Sequence, residues 1–236
     1  MSAILAVALY LQIPCHQVFE DSISIYLDDI TLPKNYNHDN EKYLLKEFAE
    51  YACKMDNPDY TWFIAYNESR FRFEVINLNG SPKAYYGDKA IKYLRNLAKK
   101  KNTNVDIGVM QINWRWHNQE FENSPFKMLR PRTQIEYIKN KFKPELVKVC
   151  GEKWVGCYHS KSRSHKQRYI KNIYKSAKVM RKYLKKVVDL RKSNQRNAHV
   201  GRQSDWLSQW EKDRDARGYF GNINFWEVVP AVRGLK

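Results

Sequence analysis

Signatures for metal, redox and phosphate chemistry are all missing from this sequence. Its four cysteines, Cys15, Cys53, Cys150 and Cys157, include no Cys-x-x-Cys pair, which excludes a zinc ribbon or a thioredoxin-type redox motif. Six histidines form no His-Glu-x-x-His set and no Gly-rich phosphate loop occurs, so neither a metal nor another cofactor is expected. Internal repeats and low-complexity tracts are absent, as are convincing alternating strands, and a mainly helical fold is therefore predicted. No apolar run reaches the roughly 20 residues of a spanning helix.

Acidic residues are scarce in one region only. Between Lys161 and Arg202 there are 15 Lys and Arg against a single acid, Asp189, whereas the rest of the chain is close to balanced. The formal net charge of +17 thus belongs largely to one segment. Such a run is ordinarily a solvated helix face; read functionally, it would adhere to an anionic cell wall or an acidic partner. No base-reading motif accompanies it, which argues against nucleic acid.

Residues 1–16 are apolar enough for a signal-peptide core or for a buried N-terminal helix, although no Lys or Arg precedes the run and no small-residue cleavage site follows it. Glu20 to Asn40 reads as a connector. Apolar spacing predicts helices over Glu41 to Met55, Asp59 to Arg70, Asp88 to Lys101, Thr133 to Phe142, Pro144 to Val149 and Ser164 to Asp189. Asp59 is a reasonable N-cap for the second of these. Asn77 to Pro82 reads as a loop, Trp154 to Tyr158, close to Gly151 and Gly156, as a tight packing point, and Arg191 to Gln203 as a linker. A short amphipathic helix is expected over Asp205 to Ala216. A disulfide among Cys53, Cys150 and Cys157 is plausible in an exported protein, with the partners open.

Glu68 stands out because Ile64 and Phe71 share its helical face, so an inward orientation would desolvate the carboxylate. Its place in the last turn adds the negative end of the helix dipole, and both effects favour the protonated acid. A lone helical glutamate is otherwise usually a surface residue.

Three ordered blocks frame it: Glu68-Ser69-Arg70-Phe71, Asp106-Ile107-Gly108-Val109-Met110-Gln111-Ile112-Asn113 and Val155-Gly156-Cys157-Tyr158-His159-Ser160. Together they resemble the soluble lytic transglycosylase family, and in spacing the members attached to type IV secretion and conjugation machines. The resemblance spans roughly residues 41–189. It implies a lysozyme-like catalytic domain of the goose type, carrying a basic C-terminal helix and an extension over residues 190–236. It also implies that Glu68 is the catalytic acid, that the loop from Gly108 to Asn113 lines a saccharide site, and that Tyr158 reaches toward the acid. The substrate-contacting set would be Ser69, Gly108, Met110, Gln111, Asn113 and Tyr158.

Each of these residues has a plainer reading. Ser69 can end its helix, Gly108 can be an ordinary loop glycine, and Met110 and Ile112 are core types. Gln111 can bond to its own loop backbone, and Tyr158 can pack with its hydroxyl on a carbonyl. Where many family members have asparagine, this chain has His159.

The implied reaction cleaves the bond between N-acetylmuramic acid and N-acetylglucosamine in peptidoglycan and leaves a 1,6-anhydro ring, with no water consumed. Glu74, Asp88 and Asp106 are the candidates for the second carboxylate that a hydrolytic muramidase would need. A degenerate, non-catalytic wall-binding or scaffold module is the other alternative. The resemblance further implies a periplasmic or cell-envelope location and secretion-system proteins as partners.

Overall fold

A computed structural model of the chain describes residues 2–31, 38–78, 84–85, 88–100, 103–160 and 162–198, and it is mainly helical. The expected helix over Asp205 to Ala216 lies outside the described residues.

Helix α1 (Ala3–Leu11) and helix α2 (Cys15–Asp28) occupy the segment expected as leader and connector. Both belong to the main core. Ile4, Val18, Phe19 and Ile23 are fully buried, because their three- and four-residue spacing turns one face of each helix inward. Among the described residues no single helix is long and apolar enough to cross a membrane; α1 and α2 pass such a test only as a pair bent by 107°.

Two ties hold this N-terminal pair. The Asp59 carboxylate, wholly buried, accepts from Ser2 Oγ at 2.5 Å, Ala3 N at 2.8 Å and Ile4 N at 3.2 Å, satisfying amides that the first turn of α1 leaves without helical partners. Asp59 therefore does not cap its own helix. That position belongs to Asn57, whose side chain accepts from Asp59 N at 3.1 Å. A disulfide between Cys15 and Cys53 is the second tie, and Cys150–Cys157 forms the other bridge.

Helix α3 (His38–Ala52) and helix α4 (Pro58–Ser69) follow the expected spacing closely. Four short strands then form a sheet that the lack of alternation did not suggest: β1 (Ile76–Leu78), β2 (Ala84–Tyr85), β3 (Val105–Ile107) and β4 (Ile112–Asn113), all antiparallel in the order β2-β1-β3-β4. Strands of two or three residues are too short to display a period of two. Helix α5 (Asp88–Leu97) lies between β2 and β3.

The chain continues through α6 (Trp114–His117), α7 (Pro125–Leu129) and α8 (Pro131–Tyr137), a π-helical turn over Ile138–Phe142, α9 (Lys143–Cys150) and α10 (Trp154–Cys157). Gly156 is a tight packing point as expected, since a Cβ there would lie 2.8 Å from Ile170 Cδ1. Helix α11 (Arg163–Ala198) runs through most of the expected linker. It buries Tyr169, Ile173, Ala177, Met180, Leu184 and Val187 against α2 and α4, among other elements.

Candidate active site

Local backbone at the end of α4 sets the position of Glu68. Arg70 and Phe71 both take left-handed conformations, with φ of 57° and 58°, which turn the chain sharply after Ser69. Two non-glycine residues in that region cost about 1 kcal/mol each or more. Burial offsets the cost: Phe71 is fully buried, with its ring 4.7 Å from Trp62 in an edge-on contact. Arg70 sends Nη1 to Tyr66 O at 2.6 Å and lays its guanidinium over the Tyr66 ring.

Glu68 itself keeps part of its surface open to solvent, yet protein crowds its carboxyl group. Desolvation pushes its pKa up to about 7, and the negative charge of Asp106 adds to the rise. Tyr169, Asn67 and Arg70 act the other way. Asn67 Nδ2 donates to Glu68 Oε1 at 3.4 Å, a long bond. The Tyr169 hydroxyl is close enough to bias the acid, but it is buried without a partner in strict hydrogen-bond geometry. It lies against the carboxyl and favours its charged form through a loose hydrogen bond, an arrangement that a bound ligand can tighten.

Tyr169 was not among the sequence candidates. The signal for it was present: a tyrosine in the apolar stripe of a basic helix, one turn before Ile173. Tyr158, expected to reach the acid, donates instead to Met110 O at 2.8 Å. It sits behind Tyr169, the two rings stacked with centroids 6.2 Å apart, while exposed His159 stacks on Tyr169 at 5.7 Å.

The turn between β3 and β4 is held from within. Gly108 has φ of 75°, and a Cβ on it would fall 2.5 Å from Gln134 Nε2. Gln134, fully buried on α8, donates to Ile107 O at 2.5 Å and accepts from Met110 N at 3.0 Å. A glycine is needed here because Gln134 occupies the space a side chain would take. Gln134 also escaped the sequence reading, although a glutamine in register with Pro131, Ile135 and Ile138 marks a polar group on an inward face.

Gln111 donates to Gly108 O at 2.6 Å and more weakly to Val75 O at 3.4 Å, and its Oε1 accepts from Asn77. Its amide thus fastens the loop to the sheet. Ser69, Met110 and Gly108 are buried as well, with Ser69 Oγ bonded to Ala65 O at 3.1 Å. All four of these expected substrate contacts are engaged in the frame itself.

Asn113 is different. The antiparallel register sets Asn77, Asp106 and Asn113 directly across from one another on β1, β3 and β4. Asn113 Nδ2 donates to Asp106 Oδ1 at 2.8 Å and to Asn104 Oδ1 at 2.6 Å, while its own Oδ1 is buried without a partner. Asp106 is part-buried, and desolvation raises its pKa from the ordinary aspartate value. Among the candidate second carboxylates, the charge of Asp106 acts on Glu68, and Asp88 is exposed.

Among the described residues no group of three or more His, Cys, Asp or Glu side chains is arranged to hold a metal ion. Comparison with protein-family models, with curated proteins and with solved structures gives no match to this chain.

Proposed function

We propose that the chain is a peptidoglycan lytic transglycosylase with Glu68 as its acid and base. The observation carrying this reading is a desolvated glutamate with its pKa pushed up to about 7, beside the buried Tyr169 hydroxyl and within reach of the Asp106 charge. Such an acid is protonated at slightly acidic pH and regenerates readily, as a group that must give and then take a proton requires.

In the proposed reaction the Glu68 proton passes to the glycosidic oxygen as the C1–O4 bond of N-acetylmuramic acid breaks. The resulting carboxylate takes the proton of the same sugar's C6 hydroxyl as O6 bonds to C1. The products are a 1,6-anhydro end and a free N-acetylglucosamine end, and Glu68 finishes protonated. Asp106 would disfavour the charged form of Glu68 between turnovers, and Tyr169 would donate to the carboxylate while it is charged.

A hydrolytic muramidase is the second reading, and Asp106 is what favours it, since a second carboxylate can activate water. The lyase is preferred because Asn113 Nδ2 donates to Asp106 Oδ1, which ties that carboxylate into the sheet instead of leaving it free to activate a water. Pairing of all four cysteines supports an exported location in the cell envelope. Service to a type IV secretion or conjugation machine rests on the three-block resemblance.

Mass analysis of digested cell wall tests the reading. Wild-type protein should release anhydro-ended fragments; products one water heavier would assign the hydrolase, and no release would remove both.

A further inference from the structure

The cations along α11 differ in whether they pair with a described residue. Toward the C-terminal end, Lys182 and Lys186 meet Asp29, Lys185 meets Asp189 and Arg191 meets Asp21. Toward the N-terminal end, Arg163, Arg168, Lys171, Lys175 and Lys178 are all exposed, and none forms an ion pair with a described residue. The four from Arg168 to Lys178 recur at three- and four-residue steps, so they form one stripe about 15 Å long. Tyr169, Ile173 and Ala177, on the opposite face, carry the packing.

This arrangement is not what stability alone would select. Like charges one turn apart repel, and no acid among the described residues pairs with them, although acids do pair with the other half of the same helix. The unpaired half is also the half that brings Tyr169 to Glu68. A stripe of exposed cations on the face of α11 turned away from Tyr169 suits an extended polyanion lying along the outside of the helix.

We infer that the stripe Arg168, Lys171, Lys175 and Lys178 binds the carboxylates of peptidoglycan peptide stems that lie along the outer face of α11. This inference rests on the proposed substrate. A wall polymer carries free carboxylates on its peptides, and exposed ammonium and guanidinium groups complement them without the desolvation cost of a buried pair.

The test is co-sedimentation with purified sacculi stripped of protein and accessory polymers, compared with the same sacculi after their carboxylates are converted to amides. Wild-type protein should bind native sacculi about tenfold better than amidated ones, a size expected from a few exposed charge pairs acting together. Lys171→Gln/Lys175→Gln/Lys178→Gln should bind native sacculi about tenfold less well than wild type and should not distinguish the two preparations. Lys182→Gln/Lys185→Gln, on the same helix but drawn from paired lysines, should behave as wild type.

Equal wild-type binding to both preparations, or undiminished binding by the triple variant, would overturn the inference. Equal loss in the double variant would also overturn it, because the effect would then be one of net charge. Unchanged thermal unfolding of each variant secures the comparison. Failure of the lyase reading shows separately, as missing anhydro products, and leaves the binding result readable.

Discussion

At the residue scale the central quantity is the Glu68 proton. With a pKa of about 7 the acid form is lost as pH rises through neutrality, so the alkaline limb of kcat/KM on cell wall should fall near pH 7. Asp106→Asn removes a charge that favours protonation and should move this limb to lower pH. Tyr169→Phe removes a group that favours ionisation and should move it to higher pH. A pH–rate profile of each variant reads both directions.

The same shift has a thermodynamic side. Folding raises the Glu68 pKa from 4.5 to about 7, so its contribution to stability is complete below about pH 4.5 and is lost as pH climbs through about 7. Glu68→Gln carries no such loss. It should be more stable than wild type above pH 7 by on the order of 2 kcal/mol, allowing for the partial exposure of the residue. Denaturant midpoints at pH 5 and pH 8 check this. Glu68 was legible in the sequence because a single acid among Trp62, Ile64 and Phe71 asks for an explanation. Tyr169 was not, because one hundred residues separate it from Glu68 and no local pattern ties a helix-stripe tyrosine to a distant acid.

At the element scale, the turn between β3 and β4 depends on Gly108 and Gln134. Gly108→Ala combines a left-handed φ with displacement of a fully buried glutamine, so two backbone groups would lose their partner. A loss of about 3 kcal/mol is expected, read as a fall in thermal midpoint. Gln134→Ala should cost a similar amount, whereas a glycine serving mainly for close approach of a sugar would leave stability at position 134 unrelated.

Long helices were readable from periodicity, as α3, α4 and α11 illustrate. The sheet was not, since its strands are shorter than one alternation can reveal. Helix α2 was missed for another reason: polar residues such as Glu20, Asp21 and Ser24 punctuate it, and its apolar face becomes evident only against α3 and α11. The end of α11 was also placed early, because Arg191 to Ala198 lacks an apolar stripe and simply continues the helix.

At the scale of the whole molecule, the N-terminal pair α1 and α2 is tied to the domain by Asp59 and by Cys15–Cys53. The Cys15–Cys53 bridge closes a sequence separation of 38, against 7 for Cys150–Cys157. On chain-entropy grounds the first is worth about 4 kcal/mol and the second about 2 kcal/mol. Cys15→Ser/Cys53→Ser should therefore lower the unfolding midpoint more than Cys150→Ser/Cys157→Ser does. Deleting residues 1–16 should do more harm than either, since it also leaves the Asp59 carboxylate buried without Ser2 Oγ or the amides of Ala3 and Ile4.

The most direct measurement is mass spectrometry of purified sacculi digested at about pH 6, below the Glu68 pKa, by wild-type protein and by Glu68→Gln. Wild type should release muropeptides ending in 1,6-anhydro-N-acetylmuramic acid, and the variant should release about a thousandfold less. Products carrying one added water, or equal release by the variant, would contradict Glu68 as the acid and base of a lytic transglycosylase.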